Sequence, residues 1–158
     1  MAISTINQAG LNQSQILTAA QMPTGSVIQV VQGTPLTTSV STGNTYVTTG
    51  CLVTITPQFS TSKIFLTLSG GNLDATTAGT QPALFIYKNG TNITTSGIAS
   101  LYGPSSRVIT NPSVIYLDSP ATTSAITYTL WLANINNASS VNFNNATNYA
   151  VLIAQEIR

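Results

Sequence analysis

Four basic and three acidic side chains, with no histidine, are the conventional acid–base groups of this chain. They are Lys63, Lys88, Arg107, Arg158, Asp74, Asp118 and Glu156. Without an imidazole, a serine or cysteine nucleophile lacks its usual base, which removes the common catalytic triads. Ser62 and Lys63 have the residue types of a Ser/Lys dyad, but neighbours in a strand point to opposite faces. Cleavage of a glycosidic bond needs two carboxylates about 5–10 Å apart. The three acids lie far apart in sequence and converge only if the fold or a subunit boundary happens to bring them together. Metal chemistry is no better served. No Cys/His cluster and no acidic loop with calcium-ligand spacing occurs, and the Asn-rich segment 134–148 offers only neutral carbonyls. The expectation is a protein that is not an enzyme, with no catalytic residues, no metal and no cofactor.

Two further residue types carry weight. Cys51 is the single cysteine, so no intrachain disulfide can form. Within the apolar run Cys51-Leu52-Val53-Thr54-Ile55 it is expected to be a buried small hydrophobe. Aromatic rings beside neutral amides and hydroxyls are the ingredients of a sugar site. Tyr102, in the loop segment Ser100–Ser106, and Trp131 are the candidate platforms. The competing expectation places Trp131 in a core or subunit interface.

The surroundings of these residues are unusually neutral. Charged residues make up 4% of the chain, against about 25% in a typical soluble domain. In their place stand 26 Thr, 17 Ser and 14 Asn. A monomer of this mass exposes roughly 7,500 Å², so each charge would serve about 1,000 Å². Hydroxyls and amides can solvate a surface, and they can pack against a neighbour without stripping water from a charge. Self-association is therefore expected. A net charge of +1 cannot neutralise many phosphates, which argues against nucleic-acid binding. No apolar run is long enough to span a bilayer, and the first residues lack the pattern of a secretory signal, so neither membrane insertion nor signal-dependent export is expected.

Two parts position these residues. Residues 1–25 form an arm rich in Gln, Asn, Ser and Ala with apolar Ile3, Ile6, Leu11, Ile16 and Leu17, which are the predicted docking contacts. Within the arm, 12–22 predicts one short helix, capped by Asn12 or Ser14 and stopped by Pro23. From Ser26 to Arg158 the pattern is β throughout. Strands are predicted at 26–32, 45–49, 51–56, 63–69, 83–88, 91–98, 107–110, 113–118, 124–133 and 149–157. Alternation is clearest where Ile126, Tyr128, Leu130 and Leu132 share one face and Thr127, Thr129, Trp131 and Ala133 the other. Asn89-Gly90 predicts a tight type I′ hairpin. The sum is an all-β chain: one β-sandwich or jelly roll of about 8–10 short strands behind an extended or short-helical arm. Strands apolar on both faces, 149–157 above all, predict outer faces covered by partner chains.

The order of several motifs resembles a family of marine phage and cyanophage proteins known as tail-fibre, head-fibre or virion structural proteins. The likeness begins at Met22-Pro23-Thr24-Gly25-Ser26-Val27-Ile28-Gln29-Val30-Val31. It continues through Thr45-Tyr46-Val47-Thr48-Thr49-Gly50, Thr54-Ile55-Thr56-Pro57 and Thr61-Ser62-Lys63-Ile64. Phe85 to Ile93 resembles the family's hairpin, Tyr116 to Tyr128 its Asp-x-Pro segment, and Val151 to Ile157 its closing strand. The resemblance implies a jelly-roll-like module, a homotrimer, on the surface of a virion assembled in the host cytoplasm. Its implied partners are sister copies and the major capsid or other virion proteins. With only about 25 residues ahead of the module, the resemblance favours a capsid decoration (cement) protein or short head fibre. The alternative is a receptor-binding module of a tail fibre or other tail component that recognises host surface polysaccharide.

Overall fold

In the computed structural model, which describes residues 18–144 and 149–158, Asn89 and Gly90 both take positive φ, 48° and 83°. Lys88 pairs with Thr91 across them, the geometry that matches the twist of a tight hairpin. The predicted turn is therefore present. It joins β6 (Pro82–Lys88) to β7 (Thr91–Asn92).

Three antiparallel sheets make up the fold. The first orders β1 (Val27–Gln32), β13 (Ala150–Ile157), β4 (Lys63–Gly70) and β10 (Ile115–Asp118). The second orders β3 (Val47–Ile55), β11 (Ile126–Asn134), β6 and β7, with β8 (Ala99–Ser100) also on β6. The third is small: β2 (Val40–Thr42), β12 (Val141–Phe143), β5 (Leu73–Ala75) and β9 (Val108–Thr110). No α-helix occurs among the described residues. The chain is all-β and sandwich-like, with three sheets where the sequence predicts the two of a simple sandwich.

One core joins all three sheets. Cys51, Val53 and Ile55 of β3 meet Ile64 and Leu66 of β4, Leu84 and Ile86 of β6, and Leu152 and Ala154 of β13. Ile126, Tyr128, Leu130 and Leu132 of β11 enter the same cluster, as the alternation in the sequence predicts, and Leu73, Val141 and Phe143 close one end. Cys51 is fully buried. Burial pushes its thiol up to about 11, against a weaker opposite pull from the Leu152 backbone, so it is an inert core group.

The differences from the predicted elements have local causes. Segments 45–49 and 51–56 are one strand, β3, because Gly50 at φ 78° forms a bulge where the β3–β11 register shifts. The Thr49 hydroxyl donates to the Leu130 carbonyl at 2.8 Å there, keeping the buried backbone satisfied. Segment 91–98 forms only the two residues of β7. Beyond it, the Ile86 amide donates to the Thr94 hydroxyl at 2.8 Å, a side chain standing where a ladder carbonyl would be. The predicted helix 12–22 is a single 3-10 turn, Ala19–Gln21, among its described residues; residues 12–17 lie outside them. Its carbonyls are occupied otherwise: the Arg158 guanidinium donates to the carbonyls of Ala19, Ala20 and Met22. A helix so short gains little from its own hydrogen bonds, so this clamp prevails. Arg158 also sits 5.1 Å from the centre of the Phe59 ring, and its backbone bonds Gly25 and Ser26. The chain leading into β1 is thereby tied to the end of β13.

Candidate functional site

All three carboxylates of the chain are buried, and each is held by its own set of donors. Asp74 on β5 receives Arg107 in a two-pronged contact, Nε at 2.9 Å and Nη2 at 2.7 Å, with Asn142 Nδ2 at 3.1 Å. Asp118 at the end of β10 receives Lys88 Nζ at 2.9 Å and the Tyr128 hydroxyl at 2.6 Å. Burial first, and the bond to Asp118 second, push the Tyr128 phenol up, so it remains a neutral donor. Glu156 on β13 accepts from Gln29 Nε2 at 2.6 Å and from the backbone amides of Gln58 and Phe59 at 2.8 and 3.3 Å. Burial by itself would raise the Glu156 carboxyl. The polar groups of Ser62, Gln29, Gln58 and Phe59 outweigh it and hold the group below the usual carboxylate range. Of these, the Ser62 hydroxyl acts by proximity, since it falls outside good hydrogen-bond geometry.

The fold does bring two acids near one another. Asp118 and Glu156 both pair with Ile64 in the first sheet, so they share its inward row two strands apart, about 10 Å between backbones. Proximity without availability is not an acid–base pair. Each carboxylate has a full set of partners, and using either as a base would strand buried donors. Tyr128→Phe is expected to cost about 1.5–3 kcal/mol, the worth of one hydrogen bond to a charged acceptor that keeps its other partner. Thermal unfolding at neutral pH would measure it.

The other predicted residues fall into separate places. Ser62 is buried beside Glu156 and Lys63 is exposed, on opposite faces as their adjacency requires. Among the described residues no three of His, Cys, Asp and Glu gather as a metal site. In the described part of the Asn-rich segment, the amides of Asn134, Asn136 and Asn137 are engaged with the protein itself. Asn134 accepts from the Gln81 amide at 3.0 Å, and Asn136 and Asn137 both donate to the Gly79 carbonyl. Tyr102 is 51% exposed on the loop after β8. Trp131 lies on the outer face of β11, stacked on Tyr87 with ring centres 4.2 Å apart. Beside it Phe85, its cross-strand partner, meets Tyr46 edge-on at 4.7 Å. Strand β6 separates β11 from the β8 edge, so the two candidate platforms do not form one site. Trp131 belongs to an aromatic row that covers the second sheet. Ile3, Ile6, Leu11, Ile16 and Leu17 lie outside the described residues.

A further exposed region is the outer face of the first sheet, which includes the strand 149–157 whose outer side the sequence predicts to be covered by partner chains. Val30 pairs with Gln155, Gln155 with Phe65, and Phe65 with Leu117. The next row is Gln32, Ile153, Thr67 and Ile115. Val30 is 61% exposed, Ile115 60% and Leu117 48%. The alternation in 149–157 carried a trace of this face. The contribution of β1 and β10 depends on pairings that no local pattern discloses. No family model and no curated protein matches this chain.

Proposed function

We propose that this protein is a bacteriophage virion surface structural protein, a capsid decoration or cement protein or short head fibre. In this reading it is a jelly-roll-like homotrimer, and residues 1–25 tie it to neighbouring shell subunits through Ile3, Ile6, Leu11, Ile16 and Leu17. The observation that carries the proposal is that every carboxylate is internal and fully engaged. Apart from basic side chains such as the exposed Lys63 and Arg107, the exterior that remains is hydroxyls, amides and apolar side chains, suited to passive contact and poor in groups for chemistry. The Arg158 clamp adds support, since it holds the root of the arm at a defined point on the body.

Removal of residues 1–17 leaves that clamp in place and tests the proposal. The truncated protein is expected to keep its oligomeric state and to lose attachment to phage particles in co-sedimentation. Retained attachment would overturn the docking role. The exposed ring of Tyr102 favours a second reading, a receptor-binding module for host polysaccharide. Binding on a glycan array that disappears on Tyr102→Ala, with the fold intact, would move the assignment there.

A further inference from the structure

We infer that the outer face of the β1-β13-β4-β10 sheet is the surface through which copies of this chain meet. This deepens the proposal above and rests on its homo-oligomer. Directly paired residues of antiparallel strands share a face, so the register fixes the membership: Val30, Phe65 and Leu117 in one row, Ile153 and Ile115 in the next, and Val27 with Ile157 at the end. Val27 is 46% exposed, and with the three exposed side chains already given it makes the face open at both edge strands. Phe65, Ile153 and Ile157, on the two central strands, are only half-buried. The apolar area shown to solvent is on the order of 400 Å², close to what one subunit contributes in apolar surface to a standard-sized homo-oligomeric interface.

Charge narrows the occupant to a second copy. Lys63, at the Val27–Ile157 corner, is the charged side chain of these rows, and the remaining polar members are Gln32, Gln155 and Thr67. An acidic or basic partner would find no complementary field here, and its own charges would lose water without compensation. A copy of this chain brings only Lys63 to the contact, at the corner where it can stay at the solvated rim, and its acidic side chains are internal. Turned toward a common symmetry axis, copies of this face cover one another and leave no open surface for further addition. The aromatic row on the second sheet is a weaker candidate, because Phe85 is already buried under Tyr46 and the Tyr87–Trp131 pair is already stacked.

The test is the mass of the full chain in solution, by light scattering over a wide concentration range, for the native protein, the double variant Val30→Lys/Leu117→Lys, and Thr54→Lys. Val30 and Leu117 are exposed in the single chain, so their replacement leaves the core untouched, and circular dichroism would verify this. The double variant is expected to weaken association about a hundredfold, tenfold for each charge buried at the interface, and to run as a monomer. Thr54→Lys, on the outer face of the second sheet, is expected to assemble like the native protein. An oligomer that survives the double variant would overturn this assignment and leave the proposed function standing, whereas one that dissolves only on removing residues 1–17 would overturn this assignment together with the separate docking role given to the arm. A native protein that is monomeric throughout would overturn both.

Discussion

Glu156→Ala is expected to lower the unfolding free energy by about 3–5 kcal/mol. The carboxylate sits in the interior and satisfies Gln29 Nε2 and the amides of Gln58 and Phe59 at 2.6, 2.8 and 3.3 Å. A buried donor left without an acceptor costs about 1–3 kcal/mol, and alanine strands the Gln58 and Phe59 amides at once, while Gln29 Nε2 keeps only the Thr56 carbonyl at 2.7 Å. The 56–62 connection, which includes Phe59 under Arg158, also loses the group that holds it to β13. Urea unfolding would measure the change, and a loss under about 1 kcal/mol would mean that water takes over these bonds. The same group sets an acid limit. Because its folded pKa is depressed below the ordinary 4.5, its contribution is fully present above that value. It is lost as pH falls through the lower folded one. Stability of the native protein is therefore expected to decline on acidification below about pH 4.5, with a shallower decline in Glu156→Gln, which has no proton to take up there.

Gly33→Ala is expected to cost about 2–3 kcal/mol, although it adds one methyl to a residue with an ordinary backbone conformation. Gly33 ends the run of β1 along β13, and Thr34 then bridges to Leu52 of β3. A Cβ at position 33 would stand 2.0 Å from the Leu52 carbonyl oxygen and 2.9 Å from that of Leu152. Both obstacles are backbone, one in each of the two main sheets, and neither can rotate aside. The Gly33 amide donates to the same Leu152 carbonyl at 2.8 Å, so relief by movement also breaks a ladder bond. The substitution should lower the unfolding midpoint in urea without changing its slope. An unchanged midpoint would show that the two sheets are less firmly set against each other than the 2.0 Å approach requires.

Long strands were legible in the sequence. β4, β6, β11 and β13 lie within a residue or two of their predicted bounds: β4, β11 and β13 have eight or more residues, with burial alternating over part of each, while β6, buried along most of its length, is marked by an unbroken apolar run. The strands β2, β5, β8 and β12 were not legible. Two or three residues are too few for a period, and Leu73–Ala75 is buried on both faces, including its aspartate. The hairpin at Asn89-Gly90 was legible because its positive φ angles demand particular residues.

The candidate sites divide along the same line. That no histidine and few charges are present follows from composition, as does the burial of Cys51 within its apolar run. The partners of the acids did not follow. Asp74 finds Arg107, Asp118 finds Lys88 and Tyr128, and Glu156 finds a loop, across 33, 30, 10 and 98 residues. Hydrogen bonds of that span are chosen by strand order, which local propensity does not encode. Composition determined that the chain is neutral with little material for acid–base chemistry, and the local pattern of apolar and turn residues determined that it is a β protein. The tertiary structure decided where the charges are hidden and which side chains face outward together. A face exists only once strands from opposite ends of the chain, β1 and β13, are paired in register.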